Sequence, residues 1–255
     1  MAVYHTKAIV LKNRNLGEAD RILLLLSEDS GKIEAVVKGA RRQHSRFIGN
    51  TLPFNYLDLM LFTGKNLDQV SQAELIHPFT TLREDLVKMA YASFWVELTD
   101  GFIPESEGHG EVFRFLLAAF ITLERSANPD LLNLAFEARL LNYLGYQPQL
   151  DSCTQCESSG EIVFFSPANG GVVCRRCAPV QRDLIPVTRK EIELLSGFGT
   201  TDIRQLECLD FTPANLQTIR RILRDFIEFR LDRPLKSQIF LDQVCHGDGS
   251  RDNSF

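Results

Sequence analysis

Cys153-Thr154-Gln155-Cys156, followed after a spacer of 17 residues by Cys174-Arg175-Arg176-Cys177, is the stretch from which the rest of the chain can be placed. Each Cys-x-x-Cys half lets one tight backbone turn aim two sulfurs at a common point. The spacer carries Gly160, Pro167, Gly170 and Gly171, residues of a hairpin-like excursion that brings the second pair back to the first. The pattern predicts one structural zinc ion, Zn2+, held by Cys153, Cys156, Cys174 and Cys177. A redox Cys-x-x-Cys needs only one pair beside a βαβ unit, and two disulfides need an oxidising compartment. Four thiolates leave zinc with a charge of about −2 and no open position, so such a site organises the chain and does not react. Arg175 and Arg176, between the second pair of sulfurs, have two readings: they offset that negative charge, or they reach a phosphate. Cys208 and Cys245 lie outside the pattern and read as a buried small hydrophobe and a free thiol.

Helical periodicity flanks the cysteines on both sides. Before them, Leu82, Leu86, Met89, Ala90 and Phe94 recur at spacings of three and four behind Thr81-x-x-Glu84, a capping-box pattern. Val112 to Leu123 is a second helix, and a third opens at Asn128-Pro129 and ends at Gly145. After the cysteines, Thr188-x-x-Glu191 caps a short helix. Thr212-Pro213 opens a long one with the stripe Leu216, Ile219, Leu223 and Phe226. Arg220, Arg221, Arg224, Arg230 and Arg233 share that helix with Asp225, Glu228 and Asp232, and read as a solvated face or as a surface for an acidic partner or DNA.

Farther from the cysteines, the period changes to two. Thr6 to Arg14, Arg21 to Ser27, Lys32 to Lys38, Phe54 to Phe62 and Leu67 to Ile76 are β-rich runs separated by turn residues, the last pair by Gly64-Lys65-Asn66. Five short antiparallel strands before Pro78 suggest a small closed barrel, either the oligonucleotide-binding OB-fold or a plain SH3-like barrel. Phe54, Tyr56 and Phe62 fall on one face of the fourth strand and read as core rather than as a base-stacking platform. The chain is therefore expected to be α+β and multi-domain: an OB-fold β-barrel at 1–79, an α-helical domain at 80–147 and 179–245, a four-cysteine zinc-binding element inserted at 148–178, and a disordered tail at 246–255.

A net charge of −5 argues against indiscriminate binding of nucleic acid, but the charge is unevenly spread. Met1 to Arg46 holds nine Lys/Arg against five Asp/Glu, a net +4, which leaves −9 on the remainder. Lys38, Arg41, Arg42 and Arg46, with His44 among them and no acid between, make a basic loop after the third strand. Gly39, Ser45 and Phe47 add backbone freedom, a hydroxyl and a stacking face. Lys7, Arg14, Arg21, Lys32, Lys38, Arg41, Arg42, His44 and Arg46 are the candidate nucleic-acid contacts, with a mobile solvated loop as the competing account. The N-terminus lacks the apolar core of a signal peptide, and no apolar run approaches the roughly 18 residues of a membrane span. The reading is a soluble, cytoplasmic, nucleoid-associated protein with no membrane partner. Neither a phosphate loop nor His-Glu-x-x-His is present, so an enzyme is not expected. A zinc-clipped hydrolase or transferase using Glu97 and Asp100 is the weaker rival. The other rival is a zinc-containing OB-fold interaction scaffold without DNA binding.

The sequence resembles the bacterial RecO recombination mediator family over nearly its whole length. The resemblance rests on Gly31-Lys32 and Lys38-Gly39-Ala40-Arg41, on Leu144-Gly145-Tyr146-x-Pro148-x-Leu150-Asp151 leading into the cysteines, and on Phe165-Ser166-Pro167-x-x-Gly170-Gly171-Val172-Val173-Cys174. Glu157 follows the second cysteine where this family often has glycine. The resemblance implies a DNA repair protein that binds single- and double-stranded DNA and anneals complementary strands. It also implies partners in RecR and single-stranded-DNA-binding protein, so that the recombinase RecA can load.

Overall fold

The computed structural model describes residues 2–104, 108–180 and 183–245, and the expected tail at 246–255 lies outside them. Its first strand, β1 (Val3–Leu16), is long enough to be paired on both edges. The N-terminal half runs antiparallel to β4 (Tyr56–Phe62), from Val3 opposite Phe62 to Ile9 opposite Tyr56. The C-terminal half runs antiparallel to β2 (Asp20–Ser27), from Ala8 opposite Ser27 to Leu16 opposite Asp20, with a bulge between Val10 and Lys12 that bends the strand. β3 (Gly31–Val37) follows β2 as a hairpin and meets β5 (Asp68–His77) in parallel, which closes the barrel in the order β1-β2-β3-β5-β4. This closed five-stranded arrangement is OB-like.

Alternation fills the barrel with Ala8 and Val10, Leu23 and Leu25, Ala35 and Val37, and Leu57, Leu59 and Leu61. The expected aromatic core face of the fourth strand is therefore the opposite face. Tyr56 points outward onto Phe113, with ring centroids 6.0 Å apart, and Phe54 precedes the strand at φ +74° and packs edge-on against Phe120 at 5.6 Å. Phe54 is buried and Tyr56 half-buried where a helix of the same unit covers the barrel. A period of two marks two faces without saying which one is enclosed.

The helices are α1 (Thr80–Glu84), α2 (Leu86–Phe102), α3 (Gly110–Arg125), α4 (Pro129–Tyr143), α5 (Arg189–Thr200), α6 (Pro213–Leu231) and α7 (Lys236–Cys245). No helix among the described residues is long and apolar enough to cross a membrane. The chain forms two compact units: Met1–Arg125 together with Lys236–Phe255, and Ser126–Leu235. In the first, the expected capping box at Thr81 is absent. Phe79, fully buried and at φ +46°, starts α1, so Thr81 falls inside it. Asp85 then breaks the helix and caps α2 by accepting from the N–H groups of Val87 and Lys88 at 2.9 and 3.1 Å. A carboxylate there also faces the positive end of the helix dipole. Glu97 accepts from the first N–H groups of α7, Lys236 and Ser237, at 3.3 and 2.7 Å, and Asp100 accepts from Lys12 and Lys32 at 2.8 and 3.0 Å. The two carboxylates weighed for catalysis thus serve as tertiary acceptors.

In the second unit, Asn128 caps α4, Thr188 and Glu191 form the expected capping box of α5, and Thr212 caps α6 with Asn215 as its reciprocal partner. Gly145 at φ +75° ends α4 in the left-handed conformation that glycine tolerates. On α6, Ile219, Ile222, Leu223, Phe226 and Ile227 are buried. Its arginines have intramolecular work: Arg220 pairs with Asp130, Arg221 lies 3.7 Å from Asp225, and Arg230 stacks over Phe226 at 4.9 Å.

Glu137 is buried inside this unit, accepting from Asn133 Nδ2 at 2.5 Å. Burial pushes its carboxyl up from 4.5 to about 8, against the opposing pull of Asn133, Arg224 and Arg220. The folded state therefore holds a proton that the unfolded chain releases. The stability linked to this group is complete below pH 4.5 and is lost as pH rises toward 8. Glu137→Gln keeps an acceptor for Asn133 and removes the linkage. Melting curves should show its advantage over the parent growing between pH 5 and pH 8, to on the order of a few kcal/mol. Parallel curves across that range would show that Glu137 is ionised when folded.

Candidate metal centre and nucleic-acid interface

Two short strands, β6 (Ile162–Ser166) and β7 (Gly171–Cys174), form the hairpin expected between the cysteine pairs, and β8 (Ile185–Pro186) adds to β6. The segment entering the first pair is laid along β7: Gln149 N–H donates to Gly170 O, Val172 N–H to Gln149 O, and Thr154 N–H to Val172 O, each at 2.9 Å. Gly171 makes this approach possible, since a Cβ there would lie 2.3 Å from Gln149 O. Cys153 and Cys156 are thereby held beside Cys174 and Cys177. The four Sγ atoms lie within 4.8 Å of one another.

Four sulfurs bonded at about 2.3 Å to one tetrahedral centre would stand about 3.8 Å apart. Cys156 Sγ and Cys174 Sγ are 3.8 Å apart, so the residues present fit a metal ion. Burial raises the Cys153 thiol, but the N–H groups of Cys174, Gln155 and Cys156 outweigh it and bring the group down to about 6. Hydrogen bonds with the Cys156 and Cys174 sulfurs push Cys177 up to about 12. Such a set loses all its protons together only beside a cation. The two neighbouring arginines part company: Arg176 Nη2 points at Cys156 Sγ from 3.8 Å, whereas Arg175 pairs with Glu161 at 3.0 Å on the surface. Cys208 is exposed rather than buried, in a short 3-10 turn, and Cys245 is half-buried at the end of α7; neither joins the cluster.

The nine basic candidates do not form one patch. By strand register, Arg14, Arg21 and Lys38 lie at the end of the barrel where β1 turns into β2, and Arg41 reaches the same turn through Gly17 O at 2.9 Å. Lys7 and Lys32 lie at the other end, beside the β2–β3 turn. Lys32 is mostly enclosed by its ion pair with Asp100, and Lys7 is exposed, opposite Asp58 of β4. Arg21 is half-buried with Nη1 2.7 Å from Thr51 Oγ1, and Arg14 stands 3.4 Å from Glu34. Arg46 donates to Ser71 O at 3.1 Å and stacks on Phe47. Phe47, expected as a stacking face, is instead buried with the barrel core, because the loop folds over the barrel end. Arg42 and His44 are exposed and make no side-chain hydrogen bond or ion pair among the described residues.

Family models for "Recombination protein O N terminal" and "Recombination protein O C terminal" match residues 1–79 and 83–239. The chain is 36% identical over 249 residues to the DNA repair protein RecO of Symbiobacterium thermophilum, covering 96% of this chain and 98% of the relative. It is 35% identical over 256 residues to that of Pelotomaculum thermopropionicum, covering 99% and 100%. The chain belongs to the RecO family. In this RecO-family chain the four cysteines fall within the C-terminal match and the basic loop within the N-terminal one.

Sequence reading missed residues that build these sites without bearing their chemistry. Gln149 aligns the cysteine pairs against Gly171, Asp20 fastens the basic loop, and Arg83 ties down the segment that enters β4. Arg83 donates to Pro53 O and Asn55 Oδ1, each at 3.0 Å. Gly170-Gly171 was the one visible signal, since adjacent glycines often mark close backbone approach. If the four sulfurs share one ion, Cys174→Ser should lose most of the bound metal by elemental analysis, while Cys208→Ser should retain the parent's content. Full retention in Cys174→Ser would refute the shared site.

Proposed function

We propose that this chain is a DNA-binding protein of recombinational repair. In this reading it binds single- and double-stranded DNA and anneals complementary strands. With RecR it helps RecA load onto DNA covered by single-stranded-DNA-binding protein, acting in the cytoplasm at the nucleoid. The family membership supports the repair role, and its relatives carry the name DNA repair protein. Zinc is the ion the centre would hold, as a structural ion, because four thiolates in a tetrahedral set suit a soft-accepting, redox-inert metal.

The observation that carries DNA binding is the exposed Arg42 beside Arg41 and Lys38 on the loop between β3 and β4. It is a local positive surface at one end of an OB-like barrel, in a protein of net charge −5. Annealing requires one surface to hold two polyanions, and phosphate contacts meet that need without reading bases. No bond-making step is assigned to the protein.

Fluorescence anisotropy of a labelled single strand over a salt series tests the reading. Arg42→Ala should weaken binding to a similar degree for unrelated sequences and flatten the plot of log K against log salt by about 0.7, one single-strand phosphate contact. Circular dichroism and metal content should stay at parental values. A parent protein that fails to bind the strand even at low salt would instead support the interaction-scaffold reading.

A further inference from the structure

An ionised carboxylate stands within the surface assigned to phosphate. Asp20, the first residue of β2, accepts from Gly39 N–H with Oδ1 at 2.8 Å and pairs with Lys38 Nζ through Oδ2 at 3.1 Å. The residue before it accepts from the same loop, with Arg41 N–H donating to Ala19 O at 2.9 Å. Arg41 Nη1 adds a bond to Gly17 O, also at 2.9 Å. Four hydrogen bonds or ion pairs thus join the Gly17–Asp20 turn to residues 38–41. Gly39 takes φ +67° at the corner, and the stem of Arg42 lies across it, Cδ being 3.4 Å from where a Cβ of residue 39 would sit. The Gly39 N–H, then Lys38, hold the Asp20 carboxyl below the ordinary carboxylate range, so it is charged at neutral pH.

A negative charge here opposes DNA by Coulomb's law, so its presence calls for a compensating role. We infer that Asp20 is a positioning residue that clips the basic loop to the β1–β2 turn, committing Arg41 to the clip and leaving Arg42 displayed toward phosphate. The inference rests on the DNA-binding reading above and adds to it a division of labour between adjacent arginines. A loop already ordered loses less conformational freedom when it meets a strand, and this gain acts on affinity without adding a phosphate contact.

The two roles of the carboxylate predict opposite signs. Were Asp20 only an unfavourable charge, removing it would tighten binding. As a clip, Asp20→Ala should weaken single-strand binding by about three- to tenfold, the scale of re-ordering one or two long side chains, with the salt slope kept near the parental value. Asp20→Asn keeps an acceptor for Gly39 N–H while losing the charge, and should bind at least as tightly as the parent. Both variants need parental circular dichroism and metal content. Hydrogen exchange followed by mass spectrometry supplies a reading independent of DNA, in which peptides covering residues 38–42 exchange faster in Asp20→Ala than in Asp20→Asn or the parent. Binding by Asp20→Ala as tight as the parent's, equal weakening in both variants, or unchanged exchange at 38–42 would each overturn the clip. Should the parent bind no DNA, the DNA-binding reading would fall; should Arg42→Ala match a parent that binds, only the assignment of the surface to this loop would fall; in both cases the exchange comparison would still decide the clip.

Discussion

The first unit depends on one strand being paired along both edges. β1 spans 14 residues, and its bulge near Leu11 lets the two halves diverge, one toward β4 and the other toward β2. A one-residue slip on either edge would exchange the faces, so pairing with both β4 and β2 fixes Ala8 inside the barrel. Closure removes exposed edges, and it leaves the loops at the barrel ends, rather than a free sheet edge, for interactions with other molecules. The outer surface is then divided. Helices of the same unit cover Phe54 and Tyr56, while Asp100 draws in Lys12 and Lys32.

That division governs which positive charges are available. Sequence counting gives the first 46 residues a surplus of cations, yet a cationic group already stacked, paired or enclosed must give up those contacts before it meets a phosphate. Arg21, Lys32 and Arg46 on the barrel, and Arg220 and Arg230 on α6, are committed in this way. An exposed pair such as Arg14 with Glu34 at 3.4 Å contributes little, since solvent and salt screen it, and it exchanges readily for another anion. Charge density in the sequence therefore overstates the binding surface.

What could be read without the fold follows from the range of the forces involved. The helix caps at Asn128, Thr188 and Thr212 and the paired cysteines depend on residues three or four positions apart, and all were legible. Asp85 was not, because the competing Thr81-x-x-Glu84 pattern is satisfied in sequence but displaced in space by the buried Phe79. The enclosed face of β4, the core position of Phe47 and the clip through Asp20 all depend on contacts between residues distant in sequence. Period and composition carry no information about which remote surface will arrive there. The same holds for the partition into two units, in which α7 returns to pack with α2 after the chain has built Ser126–Leu235.

The cysteine element shows the opposite balance, with strong local information and a weak apolar core. β6 and β7 have five and four residues, and a hairpin of that size is at best marginally stable alone. Its buried cluster consists of Cys153, Val173 and Cys174, with a few partly buried neighbours. Within the unit, Phe165 meets Phe226 edge-on at 6.0 Å, and Arg230 of α6 lies so close to Gly170 that a Cβ there would stand 2.2 Å from its Nη2. These contacts fix the hairpin end remote from the sulfurs. The turn after Cys156 lacks such packing and carries Glu157 at φ +56°, a conformation that costs a side-chain-bearing residue roughly 1–2 kcal/mol. The Glu157 N–H bond to Cys153 O at 2.8 Å offsets part of that cost. The four bonds of the proposed ion would close the turn from the other side and so support the strained residue there.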